Sequence, residues 1–241
     1  MKPARRLRIL LAVLLAAPVL GWVVNRSEWY RAFVADARYR SAVQAARQHR
    51  PDVEARLRPY FARAGVSFPP EHVALLVFKL EQRLELWSSR DARWVLVRSY
   101  PVLGPLGRPG PRLVDADDHA PEGVYRVLYI DPNSDGDVAM YINFPNDLDR
   151  DHCLAEGRPL FNHFIAVRGK DSSRGSIAVG PEAIEDLLVL TLGIGRLGIR
   201  VIIAPADLRD GGPAPTHPRN PPWTPDLYRV LRKHLSWFKR Q

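Results

Sequence analysis

The chain has 241 residues, 46% of them hydrophobic and 25% charged, enough for one core of ordinary globular composition with short extensions. A net charge of +9 would suit a nucleic-acid binder, yet residues 1–63 hold 13 Lys and Arg against 4 Asp and Glu, while residues 64–241 hold 22 against 22. With the main body balanced and no nucleic-acid-binding motif present, the composition argues against nucleic acid and for a membrane-proximal role.

Lys2, Arg5, Arg6 and Arg8 precede an apolar run over residues 9–24, the pattern of an export segment. As a helix the run would span about 24 Å, short of a ~30 Å hydrocarbon core. Val19-Leu20-Gly21 is a fair cleavage site, so a cleaved signal peptide and an inner-membrane anchor over residues 1–24 both fit. In either case the basic end stays cytoplasmic and the body is expected in the periplasm.

Residues 25–70 are charged, rich in Ala and Arg, and carry apolar residues at helical spacing: Trp29, Phe33 and Ala37, then Val53, Leu57, Tyr60 and Phe61. This predicts a stalk of two helices broken near Pro51, either solvated or lying on anionic headgroups through its arginines. From Val73 the apolar period changes to two. Strands are predicted over residues 73–80, 84–88, 94–99, 124–130, 138–144 and 164–168. One helix interrupts them: Pro181 suits a first helical position, Ile184, Leu187, Leu188 and Leu192 form its apolar face, and Gly193 ends it. Residues 199–204 read as a closing strand, which bounds the main domain at residues 71–207. Residues 208–241 then hold a Pro/Gly-rich connector and a basic helix that starts at Thr224-Pro225-Asp226 and packs Leu227, Leu231, Leu235 and Phe238. The class is mainly β within α+β.

Two motifs are rejected on context. Asp131-Pro132-Asn133-Ser134-Asp135-Gly136 copies half of a calcium-binding loop, but Ile142 occupies the position that needs a bidentate glutamate. Gly193-Ile194-Gly195-Arg196-Leu197-Gly198 spells the dinucleotide fingerprint but follows a helix and precedes a strand, the reverse of the required order. His49, His72, His119, His217 and His234 show no ligand spacing, so no metal or cofactor is expected. Cys153 is the only cysteine and excludes an intramolecular disulfide; beside His152 on an extended segment the two side chains would point apart.

The most informative run is Arg168-Gly169-Lys170-Asp171-Ser172-Ser173-Arg174-Gly175-Ser176. It resembles the His-Gly and Ser-x-Gly-Cys signature of the L,D-transpeptidase (YkuD-like) family, YafK-like branch, with Arg168 at the histidine position and Ser176 at the cysteine position. Further stretches are similar in the same order: Phe78-Lys79, Leu84-Glu85-Leu86-Trp87, Ser99-Tyr100-Pro101-Val102, Ala120-Pro121-Glu122-Gly123-Val124-Tyr125, Asn133-Ser134, Phe144-Pro145-Asn146, Asp149-Arg150 and Ala178-Val179-Gly180-Pro181-Glu182-Ala183. The resemblance implies an L,D-transpeptidase-like β-sandwich and a peptidoglycan stem peptide or envelope protein as partner. In that family a cysteine thiolate attacks a peptide carbonyl and the histidine keeps it ionised. Arginine cannot act as that base, and serine needs one. The resemblance therefore implies a site, built on Gly169, Ser173, Gly175, Arg168 and Ser176, that keeps the loop and lacks the reacting pair. Arg168 and Ser176 are expected to face one cleft. Lys170, two residues beyond Arg168, is a candidate for substrate binding or, if desolvated, for the missing base; His163, at an odd offset from Arg168, is expected to point away. An active serine enzyme of the envelope, acting on acyl or glycosyl centres with another base, stays open beside the degenerate binding protein.

Overall fold

The computed structural model describes residues 28–91, 93–134, 137–170, 174–194 and 199–239. The apolar run at residues 9–24 lies outside them. The chain divides into two units, residues 1–41 and residues 42–241. Of the first, the described part is helical.

Helix α1 (Glu28–Ala64) is continuous and contains Pro51 and Pro59, so the break predicted near Pro51 does not occur. Each proline removes one helical hydrogen bond. Burial offsets this: Ala42, Ala46, Val53, Leu57 and Phe61 recur at helical spacing and lie in the main core, so residues 42–64 are docked rather than solvated.

Eight strands follow: β1 (Val73–Phe78), β2 (Arg83–Arg90), β3 (Arg93–Pro101), β4 (Gly123–Ser134), β5 (Asp137–Ile142), β6 (Ala166–Arg168), β7 (Ile177–Ala178) and β8 (Ile199–Ala204). Their hydrogen-bonded order is β3-β2-β1-β8-β4-β5-β6-β7. β8 enters the middle, parallel to β1 (Leu75 opposite Val201) and antiparallel to β4 (Tyr125 opposite Val201). Such a strand is covered on both faces, which is why residues 73–78 and 199–204 read as near-continuous apolar runs. Helix α3 (Pro181–Ile194) fills the main core between the two parts of the sheet and is buried nearly all round, through Asp186 as well as Ile184, Leu187 and Leu188. On the opposite face of β1 and β8, helix α4 (Thr224–Leu235) buries Leu227, Leu231 and Leu235, and Phe238 behind it meets Trp87 at 5.5 Å and Trp94 at 4.9 Å between ring centroids.

Helix α2 (Asp147–Ala155) was not expected. Its signal is a capping box: the Asn146 side chain accepts from the Asp149 amide, and the Asp149 carboxylate accepts from the Asn146 amide. His152 and Cys153 are therefore helical neighbours, not residues of an extended segment. His152 stacks on Trp223 at 3.7 Å, while Cys153 is buried and accepts from Arg158 Nη1 at 3.3 Å. Burial pushes the Cys153 thiol up, which suits a structural cysteine.

Candidate functional site

The site is built where β6 and β7 lie parallel, with Val167 opposite Ile177 and Arg168 opposite Ala178. Val167 and Ile177 face the main core. Alternation then turns Ala166, Arg168, Ser176 and Ala178 to the other face, so Arg168 and Ser176 lie on one side of the sheet. The hydrogen bonds described for their side chains nevertheless lead to different places. Arg168 Nη2 donates to the Ser134 hydroxyl at 3.1 Å and the Ser134 carbonyl at 3.2 Å, at the end of β4. The Ser176 hydroxyl is buried and accepts from the Ala166 amide at 3.3 Å.

Both motif glycines are dictated by close approach. A Cβ on Gly169 would fall 2.7 Å from Asp137 Oδ1 and 2.7 Å from Ile184 Cγ2. Gly175 has φ +84°, and a Cβ there would sit 2.4 Å from the His119 carbonyl oxygen and 2.5 Å from Arg112 Nη1. Ser173 lies outside the described residues. Lys170 is exposed at the loop after β6, where its amide donates to Asp137 Oδ2 at 2.7 Å; a desolvated lysine base is not what this position provides.

The wall against Gly175 comes from two residues that the sequence did not single out for this role. Arg112 is 3% exposed and donates Nη1 to the Arg174 carbonyl at 2.6 Å and the His119 carbonyl at 3.2 Å, and Nη2 to the Asp115 carbonyl at 2.8 Å. One buried guanidinium thus ties the segment before β4 to the Arg174–Gly175 turn, both of whose residues are left-handed. His119 makes one ring hydrogen bond, Nε2 to the Pro111 carbonyl at 3.0 Å. Burial, assisted by the Lys79 charge, drops its pKa to about 4, so it is neutral at pH 7. Its neighbour in sequence, the Ala120–Tyr125 stretch, was the available signal.

His163 is near the site but engaged elsewhere. Arg174 Nη1 lies 2.9 Å from His163 Nε2, which makes that nitrogen the acceptor and leaves the proton on Nδ1, 3.2 Å from Asp115 Oδ1. On the same face as Arg168, Tyr129 stacks on Tyr141 across β4 and β5 at 4.4 Å, Phe164 packs edge-on to Tyr141 at 6.1 Å, and the Tyr141 and Ser134 hydroxyls are 3.0 Å apart. A polar chain therefore runs from Arg168 through Ser134 to a partly exposed aromatic cluster.

Among known proteins, the chain is 29% identical over 143 residues to YafK of Escherichia coli K12, whose name assigns it provisionally to the L,D-transpeptidases; YafK of E. coli O157:H7 matches equally. Over that stretch the chain is similar to the YafK-like L,D-transpeptidases. The match covers 57% of this chain and 56% of YafK, so this L,D-transpeptidase-like chain aligns with little more than half the length of its curated relatives. No family model matches. Among solved structures, the cell-shape-determining protein Pgp2 of Campylobacter jejuni shares 18% identity at a TM-score of 0.41, over 57% of this chain and 49% of Pgp2. L,D-transpeptidase 1 of Mycobacterium tuberculosis shares 11% at a TM-score of 0.31, over 55% of this chain and 62% of that protein.

Among the described residues no cluster of His, Cys, Asp and Glu could hold a metal ion, and no helix is long and apolar enough to cross a membrane. The first four residues of the calcium-loop look-alike, 131–134, belong to β4, where Asp131 pairs with Ala139 and Ser134 with Asp137 of β5.

Proposed function

We propose that the chain is a peptidoglycan-associated, exported L,D-transpeptidase-like protein that binds a stem peptide or an envelope partner at the Arg168/Ser176 face without cysteine-type transpeptidation. The observation that carries this reading is the pair of side-chain commitments: the Ser176 hydroxyl is buried on the Ala166 amide, and Arg168 is a permanent cation held by Ser134. A serine without a positioned base is a poor nucleophile. Losing a nucleophile and base that act as a unit costs on the order of 10⁴ to 10⁶ in rate. What the face retains is a fixed positive charge beside a rigid turn, which suits a carboxylate.

Labelling with a β-lactam acylating probe tests the reading. Wild type should stay unlabelled, Ser176→Cys should label slowly, and Arg168→His with Ser176→Cys should label readily, because the double change restores thiolate and base together. Peptidoglycan fragments should be retained by wild type without being processed, as read by pull-down and mass spectrometry. Wild-type labelling or product formation that vanishes in Ser176→Ala would refute the binding reading and establish the serine enzyme. Retention of no fragment would remove peptidoglycan as the ligand.

A further inference from the structure

The outer face of β4, β5 and β6 carries a set of rings beside Arg168. Ile130 and Met140 point into the main core, so alternation turns their neighbours outward: Tyr129 opposite Tyr141, and Asp131 opposite Ala139, which pairs on its other side with Arg168. Two rows result, roughly 7 Å apart, one aromatic and one with a charge at either end. Phe164, edge-on to Tyr141, extends the aromatic row and keeps 63% of its surface exposed. Covering that ring would recover hydrophobic free energy that the folded chain by itself forgoes.

The polar groups around the rings are of mixed kind. The Ser134 and Tyr141 hydroxyls lie 3.0 Å apart, Arg168 donates to Ser134, and the Asp131 carboxylate accepts from the Asn133 amide at 3.1 Å. Hydroxyls donate and accept alike, and one cation faces one anion across Ala139. An anionic lipid surface or an acidic peptide would be met by charge of one sign, and the centre of a protein interface is depleted of charge. This face suits a ligand that is neutral overall, with an apolar side and a rim of donors and acceptors. A pyranose ring has that form: its axial C–H bonds make one apolar side, which the negative face of an aromatic ring attracts, and its hydroxyl and amide groups surround the edge.

We propose that this aromatic face binds the amino-sugar strand of peptidoglycan, with a sugar ring against Phe164 and Tyr141 and the Ser134 and Tyr141 hydroxyls at its rim. The proposal rests on the reading of the chain as peptidoglycan-associated and names the glycan, beside the stem peptide, as what the face recognises. Calorimetric titration of the full chain with chitotetraose, a soluble linear tetramer of N-acetylglucosamine that carries no peptide, tests it. Wild type should bind with a Kd below about 1 mM. Phe164→Ala should weaken binding at least about fivefold, and Phe164→Trp, which enlarges the platform, should keep or tighten it. Leu154→Ala, at an exposed apolar residue of α2, should leave it unchanged. The melting temperature of each variant shows that it is folded. A stem tetrapeptide without sugar, titrated in parallel, separates this proposal from the reading it rests on. Tetrapeptide binding with no chitotetraose binding overturns the glycan proposal and leaves the stem-peptide reading standing. Chitotetraose binding that depends on Phe164, with no tetrapeptide binding, supports the glycan proposal and counts against the stem peptide as ligand. Equal chitotetraose binding by wild type and folded Phe164→Ala would also overturn the proposal.

Discussion

Asp186 holds the docked half of α1 to the domain, and its removal should be costly. Its side chain is fully buried in α3, where Arg56 Nη2 lies 2.7 Å from Oδ1, Arg98 Nη1 lies 2.9 Å from Oδ2, and the Tyr100 hydroxyl donates to Oδ2 at 2.9 Å. Asp186→Asn preserves shape but sets an amide between two guanidiniums. Breaking a buried pair from one side costs about 3–5 kcal/mol. Arg56 and Arg98 are 23% and 15% exposed at the side chain and keep Glu182 at 3.6 and 2.7 Å, so the low end, about 3 kcal/mol, is expected. With a urea m-value of roughly 2 kcal/mol/M, the midpoint should fall by about 1.5 M in denaturation followed by tryptophan fluorescence. In a double-mutant cycle, Arg56→Met and Asp186→Asn together should cost at least about 1 kcal/mol less than their sum. A midpoint change under about 0.4 M, or simple additivity, would refute the argument that these charges act as one unit.

Two further outcomes follow from the site and its surroundings. Gly175→Ala should destabilise by more than about 2 kcal/mol, because φ is +84° and backbone and guanidinium atoms occupy the Cβ position; Gly212→Ala, with nothing within 4 Å, is the control, and equal melting temperatures would contradict the reading. His119 and Asp149 oppose one another in acid. The unfolded chain protonates His119 near 6.5 and the folded chain only near 4, so stability falls by up to about 3 kcal/mol as pH drops through that window. Burial raises Asp149 to about 6, so its folded carboxyl keeps a proton that the unfolded one loses, and stability rises as pH falls from about 6 toward 4. The wild-type urea midpoint should therefore vary little between pH 4 and 6.5, and Asp149→Asn should uncover an acid-side decline; a flat profile in that variant would reject the assignment.

Local pattern made the strands and the two packing faces legible, because apolar residues run unbroken along β1 and β8, burial alternates over the first half of β4, and it recurs every three to four residues along α4. It failed where tertiary burial overrode it. Pro51 reads as a break until Val53, Leu57 and Phe61 find a core on the far side of it. Nothing in the sequence around Asp186 shows that two arginines, one 130 residues earlier in the chain, converge on it. In the site, Gly169 and Gly175 were readable from the resemblance of their run to the family signature, but Arg112 and His119 were not, since their contacts run to backbone carbonyls and leave no pattern in side-chain type.

The central place of β8 dictates when the chain can become a protein. Until residues 199–204 are available, β1 and β4 each present an unpaired edge, and the two parts of the sheet have no common member to join them. The longest-range pairing is also the one that must form for any core to close, which makes folding late and slow relative to synthesis. For a chain proposed to leave the cytoplasm, such lateness is useful: a nascent chain that cannot close its sheet stays threadable, and its fold is completed only after the last third has crossed.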